Sequence, residues 1–456
     1  MNDRCVAMSG ELSDALTDFL QREDGQEDIC FALYRRAEGS RRITGLIFEV
    51  LWPLSGDRNV HGNASFNPRY LQRALAVASA KGCGIALLHS HPLGVGWQDM
   101  SPDDIVAERS TAPAVFGATG LPLLGLTQAG DHTWSSRFWI REAPRQFARS
   151  DCSRVRIAGD SFRIYFNDAL APKPVHTEQQ IRTVSAWGDG GQSDMARLTV
   201  GIVGGGSVGG IVAEGLARMG VRRLVVIDPD VIEPHNLDRL TYATGGDIGQ
   251  LKVDVLGSYL EIATTSDDFD ISSVPLALSA QVALSEALNC DVIFSCVDRP
   301  WGRHLLNQIS YAHLVPVIDG GIAVRTNKLG RLASADWRSH VAAPGRACLR
   351  CLGQYDLGLV QAEREGALEN QRYIDGLPTG HPFRSRENVF PFTIACASRL
   401  LLQFVSMVIE PLGHNSFGAE HYHFVGDFWE PKRRPLCFEE CPFPRLTALG
   451  DDHQIL

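Results

Sequence analysis

The segment from Leu198 to Lys252 constrains the fold of this chain more than any other. Its first apolar run, Leu198–Val203, stops at a glycine cluster with the pattern GxGxxG, formed by Gly204, Gly206 and Gly209. Helix-type apolar spacing follows, and a second apolar run ends at Asp228. This order predicts an α/β fold with a strand, a tight turn, a helix and a strand. Such glycines allow a phosphate to approach the helix N-terminus, and the acid suits a ribose hydroxyl.

The glycine pattern alone fits an NAD-binding oxidoreductase equally well. The second strand is followed by polar residues that a dinucleotide fold does not require: Asp230, Asn236, Arg239 and Lys252. An amide and two cations at this position suit a triphosphate. The sequence contains no GxxxxGK[ST] motif, which argues against a Walker-type ATPase.

A further acid, Asp298, follows the buried apolar run Val292–Cys296. The ordered series of GxGxxG, Asp-x-Asp, Asn-x-x-Arg, Lys and a late Asp resembles the ThiF/MoeB family, the adenylating core of ubiquitin-activating enzymes. The resemblance covers roughly Glu178 to Pro442. It implies a Rossmann-like domain that uses ATP and Mg²⁺ to activate a C-terminal carboxylate by attack on the α-phosphate.

That reaction assigns roles to these side chains. Arg239 and Lys252 would neutralise the leaving pyrophosphate, and Asp298 would bind Mg²⁺. The resemblance further implies that Asp228 binds the ribose with Asp230 nearby, and that Asn236 orders the phosphate loop. It also implies a homodimer, in which Arg182 reaches the ATP of the other subunit.

Two cysteine pairs predict a structural zinc site: Cys348-x-x-Cys351 and Cys437-x-x-x-Cys441. Four thiolates close a tetrahedral site, and many ThiF/MoeB relatives have this paired arrangement. Among the remaining cysteines, Cys396 is the only candidate for a transfer thiol, and a core position is the favoured interpretation. The adenylate is therefore expected to pass directly to a partner.

The N-terminal part carries a different metal pattern. A short apolar run ends in His89-Ser-His91-Pro, and Ser101-Pro-Asp-Asp104 follows after a loop. Residues i and i+2 of a strand point to the same side, so the two histidines can share one ion. Ser101 is a favourable helix N-cap, which places Asp104 in the first turn. Two histidines and one carboxylate, with one position left for water, predict a catalytic zinc site.

This layout resembles the JAB/JAMM metalloproteases, which cleave isopeptide or peptide bonds after ubiquitin-like tails. The resemblance implies a JAB/MPN-type α+β domain in which the zinc ligands are His89, His91 and Asp104. Ser101 would support the site, and Glu27 would be the general acid/base, with Glu49 as the rival. The loop between His91 and Ser101 is longer than is usual in that family. Cys30 stands where a glycine is common on the first strand.

The resulting domain prediction is a JAB/JAMM-like domain over residues 1–165, a linker over 166–177 and an adenylation domain over 178–456. A net charge of −10 does not favour nucleic acid or anionic membranes as partners. The apolar stretch Phe392–Ile409 contains Arg399 and Gln403, which predicts a buried helix instead of a membrane span. The N-terminus lacks a signal-peptide layout and the cysteines suit a reducing compartment, so a cytoplasmic location is expected.

The combination resembles bacterial ubiquitin-like conjugation operon proteins. It predicts a bifunctional enzyme that trims or releases the tail of a ubiquitin-like protein with a Gly-type tail and adenylates its C-terminus. Delivery to a separate conjugating enzyme is expected. One alternative is the processing and activation of a sulfur carrier for thiocarboxylate chemistry. Another is an adenylating enzyme whose JAB domain is inactive and only docks the carrier.

Overall fold

The computed structural model describes residues 2–61, 63–376, 388–413, 418–432 and 436–455. The chain divides into two compact units. The first consists of residues 1–172, 312–314 and 446–454, and the second of residues 173–311, 315–445 and 455–456. The main division after Pro172 falls within the segment predicted as a linker.

The first unit is built on a nine-stranded mixed sheet with the order β11-β10-β1-β3-β2-β6-β7-β8-β9. Its strands are β1 Asp3–Ser9, β2 Ile29–Glu38, β3 Arg42–Leu51, β6 Gly84–His91, β7 Leu123–Ala129, β8 Trp134–Ala143, β9 Gln146–Asp151, β10 Arg154–Ala158 and β11 Phe162–Phe166. A separate hairpin consists of β4 Arg58–His61 and β5 Asn63–Phe66. The helices are α1 Gly10–Leu20, α2 Pro68–Lys81 and α3 Pro102–Thr119.

Both faces of this sheet are covered, so its central strands are apolar on both sides. One core joins Met8 and Leu88 to Leu16 and Leu20 of α1. The other core joins Phe31 to residues of α2 and α3. Burial on both faces explains the nearly unbroken apolar runs of β2 and β6.

The second unit contains an eight-stranded sheet with the order β14-β13-β12-β15-β16-β17-β18-β19. Its strands are β12 Thr199–Val203, β13 Arg223–Ile227, β14 Asp270–Val274, β15 Val292–Ser295, β16 Val317–Thr326, β17 Leu332–Ala342, β18 Ala419–His423 and β19 Phe428–Lys432. The strands from β14 to β16 in this order are parallel, and the remaining pairings are antiparallel. This is the predicted Rossmann-like α/β arrangement, extended by an antiparallel edge.

The helices of the second unit are α4 Ile181–Ala196, α5 Ser207–Arg218, α6 Lys252–Ala263, α7 Gln281–Ala287, α8 Pro300–Ala312, α9 Leu357–Arg364, α10 Gln371–Gly376 and α11 Phe390–Ile409. Short 3₁₀ helices span Glu178–Gln180, Pro234–Asn236, Gly245–Asp247, Ala367–Glu369, Pro411–Gly413, Phe443–Leu446 and Gly450–Asp452. By length and composition alone, α11 is able to cross a membrane. It packs, however, on α5 and the sheet, where Leu401 lies over Gly215 and Leu400 over Gly320. The prediction of a helix with many buried residues is therefore confirmed.

The order of the parallel strands places β12 at a topological switch point. From β12 the chain runs through α5 to β13 on one side, and β15 later pairs with the other side of β12. Ligands of open α/β sheets bind at the carboxyl ends of the strands where this reversal occurs. The glycine turn and Asp298 follow the two strands that flank the switch point.

Candidate functional sites

The turn between β12 and α5 requires glycine at two positions. Gly204 has a positive φ of 98°, and a Cβ atom on Gly209 would lie 1.8 Å from the Gly204 carbonyl oxygen. A Cβ atom on Gly206 would instead meet nothing within 4 Å. Gly206 is also the N-cap of α5 and has no side-chain cap. The first amides of α5 are therefore open to an anionic ligand, as the GxGxxG pattern predicted.

Asp228 connects this turn to the end of β13. Its Oδ2 accepts a hydrogen bond from the Gly205 amide at 2.7 Å, and its Oδ1 accepts one from the Asp230 amide at 2.8 Å. Burial raises the pKa of Asp228 above its ordinary value. The Tyr242 hydroxyl donates to the Gly205 carbonyl at 2.7 Å and so holds the same turn from another direction. Sequence reasoning missed Tyr242, which has no motif spacing to mark it.

The two predicted phosphate-binding cations contact protein acceptors in this structure. Lys252 begins α6, and its Nζ donates to Asp230 Oδ2 at 2.7 Å. Arg239 Nη1 donates to the His235 carbonyl at 2.5 Å and to Asp238. Asn236 closes the turn that precedes Arg239, because its Oδ1 accepts from the Glu233 amide at 3.0 Å. Arg239 therefore lies in the segment between β13 and α6, and Lys252 lies at the start of α6.

Asp298 lies beyond the end of β15 and is exposed. It makes no hydrogen bond or ion pair with the described residues. The strand β12, which leads into the glycine turn, pairs in parallel with β13 on one side and with β15 on the other. Asp298 follows β15. The structure thus places the glycine turn, Asp228 and Asp298 at the carboxyl ends of three adjacent parallel strands. We call this arrangement the nucleotide site.

The first unit brings together three of its predicted metal ligands, and we call them the histidine site. His89 and His91 end β6, and their Nε2 atoms are 3.2 Å apart. His89 Nε2 is 3.5 Å from Asp104 Oδ1, and His91 Nε2 is 3.4 Å from Asp104 Oδ2. Donor atoms about 2.0–2.1 Å from a tetrahedral zinc ion lie about 3.3 Å from one another. The side chains therefore fit a zinc ion in both chemistry and spacing.

Ser101 fixes Asp104 through a capping box at the start of α3. The Ser101 hydroxyl accepts from the Asp104 amide at 3.2 Å, and Asp104 Oδ2 accepts from the Ser101 amide at 2.9 Å. Burial on its own would raise the pKa of Asp104, but the hydrogen bonds to His89 and His91 outweigh it. They hold the pKa of this carboxyl well below its usual range. Asp104 is consequently an anion, as a metal ligand must be.

The long loop between His91 and Ser101 supplies an orienting contact that sequence reasoning missed. Gln98 Nε2 donates to the carbonyls of Val95 and Gly96, both at 3.0 Å. The Gln98 amide is therefore oriented with Oε1 towards His91 Nδ1, at 3.4 Å. With a metal ion bound at Nε2, this contact would accept the proton that Nδ1 then carries.

Glu27 and Glu49, the two candidate acid/base residues, differ in their position relative to β6. Ile29 pairs with His89 across β2 and β6, so the same register continued outward places Glu27 opposite His91. The Glu27 carboxylate contributes to the raised pKa of His91, after the larger effect of the Asp104 hydrogen bond. Glu49 lies on β3, which does not neighbour β6, and it forms an ion pair with Lys81. Glu27 is the better placed of the two.

A comparison with protein families matches residues 177–415 to the ThiF family, over more than half of the chain. This chain belongs to the ThiF family. The matched segment, which we call the ThiF domain, contains the whole nucleotide site.

Several curated proteins are similar to part of this chain. The adenylyltransferase and sulfurtransferase uba4 of Aspergillus terreus is 27% identical over 55% of this chain and 49% of its own length. The adenylyltransferase and sulfurtransferase MOCS3 of Anopheles gambiae is 30% identical over 36% of this chain and 34% of its own. The SAMP-activating enzyme E1 of Haloferax volcanii is 26% identical over 36% of this chain and 57% of its own. The chain thus spans between about a third and about three fifths of the length of these relatives. Among solved structures, E. coli MccB with ATP is similar at 17% identity, covering 59% of this chain and 74% of MccB, with a TM-score of 0.44.

Four cysteines converge in the unit that contains the ThiF domain, and two of them lie beyond residue 415. Their sulfur atoms lie close enough for one ion: Cys348, Cys351, Cys437 and Cys441. The sulfurs of Cys348 and Cys441 are 3.6 Å apart, where thiolates about 2.3 Å from a tetrahedral zinc ion would be about 3.8 Å apart. The amide of Cys351 donates to Cys348 Sγ, and the amide of Cys348 donates to Cys437 Sγ. Hydrogen bonds from Cys348 lower the pKa of the Cys437 thiol below its ordinary value. The cluster therefore fits a structural zinc ion.

The remaining predicted residues of this domain differ in their exposure. Arg182 is exposed near the start of α4 and has no hydrogen bond or ion pair to the described residues. Cys396 is completely buried on α11, and burial raises the pKa of its thiol to about 12. A thiol that is both buried and protonated is not available for transfer chemistry. The interpretation of Cys396 as a core residue is thus supported.

Proposed function

We propose that the ThiF domain adenylates the C-terminal carboxylate of a small carrier protein. One observation carries this proposal: the open glycine turn, Asp228 and Asp298 lie together at the switch point of the sheet, beside a loop with two cations. A carboxylate oxygen would attack the α-phosphorus of ATP. The bond to the leaving oxygen would break, which gives an acyl adenylate and pyrophosphate.

Each residue of the nucleotide site has a role in that step. The first amides of α5 bind phosphate oxygens, and Asp228 accepts from the ribose while it holds the turn. Lys252 and Arg239 exchange their protein acceptors for phosphate oxygens and stabilise the charge on the leaving pyrophosphate. Asp298 has a free, exposed carboxylate and would hold Mg²⁺, which supplies further charge neutralisation when bound. Arg182 is the residue we assign to the partner subunit's ATP in a homodimer.

The names of the relatives support a carrier protein as the substrate. Two are adenylyltransferases and sulfurtransferases, and one is a SAMP-activating enzyme. We infer that the substrate is a ubiquitin-like or sulfur-carrier protein with a Gly-type tail. Burial of Cys396 supports direct transfer of the adenylate to a separate conjugating enzyme or to a sulfur donor. Mass spectrometry of the carrier distinguishes the two: a thiocarboxylate indicates sulfur transfer, and a covalent adduct to another protein indicates conjugation.

We further propose that the first unit is a JAB/JAMM-type zinc peptidase that trims or releases the tail of the same carrier. The spacing of His89, His91 and Asp104 is the observation that supports it. Bound there, zinc would acidify a water molecule and polarise a carbonyl. Glu27 would take the proton and pass it to the leaving amine. An inactive unit that only docks the carrier is the alternative.

Two measurements test the proposals separately. Asp298→Ala should abolish carrier-dependent ATP–pyrophosphate exchange and leave peptidase activity intact. Equal loss of both activities would overturn the two-site proposal. The zinc content of the purified protein should fall by about one ion per chain in the double variant His89→Ala, His91→Ala. An unchanged zinc content would remove the peptidase proposal and leave the docking alternative.

A further inference from the structure

A third group of metal-binding side chains lies on the antiparallel edge of the second sheet. Asp336, His421 and His423 place their ligand atoms within 4.8 Å of one another. None of these residues belongs to the nucleotide site, the histidine site or the cysteine cluster. The group therefore has no role in either proposed activity.

Strand pairing explains why these side chains share one face. His421 and His423 are two residues apart on β18, so their side chains point to the same side of the sheet. Asp336 of β17 pairs directly with His423, and Glu430 of β19 pairs directly with His421. Directly opposed residues also share a face. Three neighbouring strands thus direct two imidazoles and two carboxylates to one place.

The contacts agree with this register. His423 Nδ1 is 3.0 Å from Asp336 Oδ1, and His423 Nε2 is 3.6 Å from Glu430 Oε2. The rings of His421 and His423 have centroids 4.2 Å apart, while Phe428 stacks on His423 at 4.5 Å. Arg338 lies on the same face, but its guanidinium is directed to Asp319, 3.7 Å away. The histidines are therefore held in place by packing, and the neighbouring cation is engaged elsewhere.

We infer that His421, His423 and Asp336 bind a divalent transition-metal ion such as Zn²⁺. Imidazole and carboxylate together suit borderline divalent ions, whereas Mg²⁺ and Ca²⁺ prefer oxygen ligands alone and Cu⁺ prefers sulfur. The ion would link β17 and β18. It would stabilise this edge of the sheet through binding to the folded state only.

The test is metal binding by the full-length chain. Equilibrium dialysis against Zn²⁺ compares the wild type with the double variant His421→Asn, His423→Asn. The control is a second double variant, His61→Asn, His132→Asn, which changes two exposed histidines of the first unit. We expect the first variant to bind one ion fewer than the wild type and the control to bind the same number. This difference does not depend on whether the histidine site or the cysteine cluster binds metal, so its failure is distinguishable from failure of the proposed function.

Cobalt substitution identifies the ligands of the lost ion. Loss of a Co²⁺ ion without loss of thiolate-to-cobalt charge-transfer absorption would place it at nitrogen and oxygen ligands. Asp336→Asn is a milder variant, since asparagine retains the size and an acceptor for His423 but lacks the charge. It should weaken Zn²⁺ binding at least several-fold while the thermal unfolding of the Zn²⁺-free protein stays close to that of the wild type. Equal Zn²⁺ content and an equal affinity in all variants would overturn the inference.

Discussion

Lys252 Nζ and Asp230 Oδ2 form an ion pair at 2.7 Å, in which the lysine is mostly buried and the aspartate largely exposed. The pair joins the start of α6 to the loop after β13. A buried cation with an exposed, replaceable partner is suited to accept a phosphate oxygen in place of the carboxylate. Lys252 is thus held near the nucleotide site before ATP binds.

Lys252→Met should lower carrier-dependent ATP–pyrophosphate exchange at least about 100-fold, because it removes a donor from the charge that develops on the leaving group. The matched control is Lys328→Met, since Lys328 is exposed and distant in sequence from the nucleotide site. Initial rates of label exchange into ATP provide the measurement. Exchange by the Lys252 variant at the rate of the control would exclude the role assigned to Lys252.

Two alanine substitutions in the glycine turn should affect different quantities, one the stability of the protein and the other the KM for ATP. Gly209→Ala forces a Cβ atom against the Gly204 carbonyl and should lower the free energy of unfolding by about 1–3 kcal/mol. Gly206→Ala meets only open space, so the unfolding temperature should stay unchanged while the KM for ATP rises. Thermal denaturation and steady-state kinetics separate the effects. An unchanged KM in the Gly206 variant would mean that phosphate does not bind against this turn.

Ser101→Ala should destabilise the protein by about 1 kcal/mol through the lost N-cap of α3. It should also weaken zinc binding, because the capping box that holds Asp104 is broken. Ser9→Ala removes the N-cap of α1, where the Ser9 hydroxyl accepts from the Leu12 amide. This control should lose similar stability and retain its zinc. Competition with a chelator measures the zinc affinity of both variants. If both lose zinc to the same extent, the Ser101 effect is general destabilisation and not loss of the Asp104 contact.

Gln98→Leu should reduce zinc affinity at the histidine site about 10–100-fold, since His91 loses the acceptor that orients its ring. Gln98→Glu retains an acceptor oxygen at the same distance along the side chain and should restore most of the affinity. The same chelator competition applies. If the leucine variant binds zinc as tightly as the glutamate variant, the orientation of His91 does not depend on this contact.

His340 should make the unfolding free energy depend on pH. It is buried, its Nε2 donates to the Ala347 carbonyl at 2.7 Å, and burial lowers its pKa from 6.5 to about 4. The unfolded chain therefore binds more protons between these values, and stability falls as pH decreases from about 6.5 to about 4. His340→Gln keeps a donor for Ala347 and does not titrate. It should remove about 1–3 kcal/mol of this pH dependence in denaturant titrations. Identical slopes for both proteins would contradict the assignment.

Local signals in the sequence were sufficient to predict several elements. The bounds of α2, Pro68–Lys81, follow from local signals, because Asn67 caps its start and Gly82 ends it in the left-handed conformation. The glycine turn, the histidines on β6 and each of the two close cysteine pairs also follow from spacing within a few residues. These features depend on contacts between near neighbours, which the sequence shows directly.

Features that depend on tertiary structure were not predictable in this way. The orienting role of Gln98 depends on the path of a loop, and Tyr242 reaches the glycine turn only after folding. Glu420 is the one acidic residue on β18, and it alternates with His421 along the strand. The carboxylates that face His421 and His423 come from two other strands. Asp3–Ser9 begins with an acid and a base, and it forms β1 because β10 and β3 pair with it on its two sides.

The return of residues 446–454 to the first unit has a consequence for biosynthesis. Ala448 joins a core with Ala7, Leu46 and Ala158, and Asp452 forms an ion pair with Arg35. Domains usually fold as they leave the ribosome, in order from the N-terminus. The first unit cannot complete its core until nearly the whole chain has been translated. A truncated translation product would therefore lack a complete first unit, and that unit would mature only in a chain that already carries its ThiF domain.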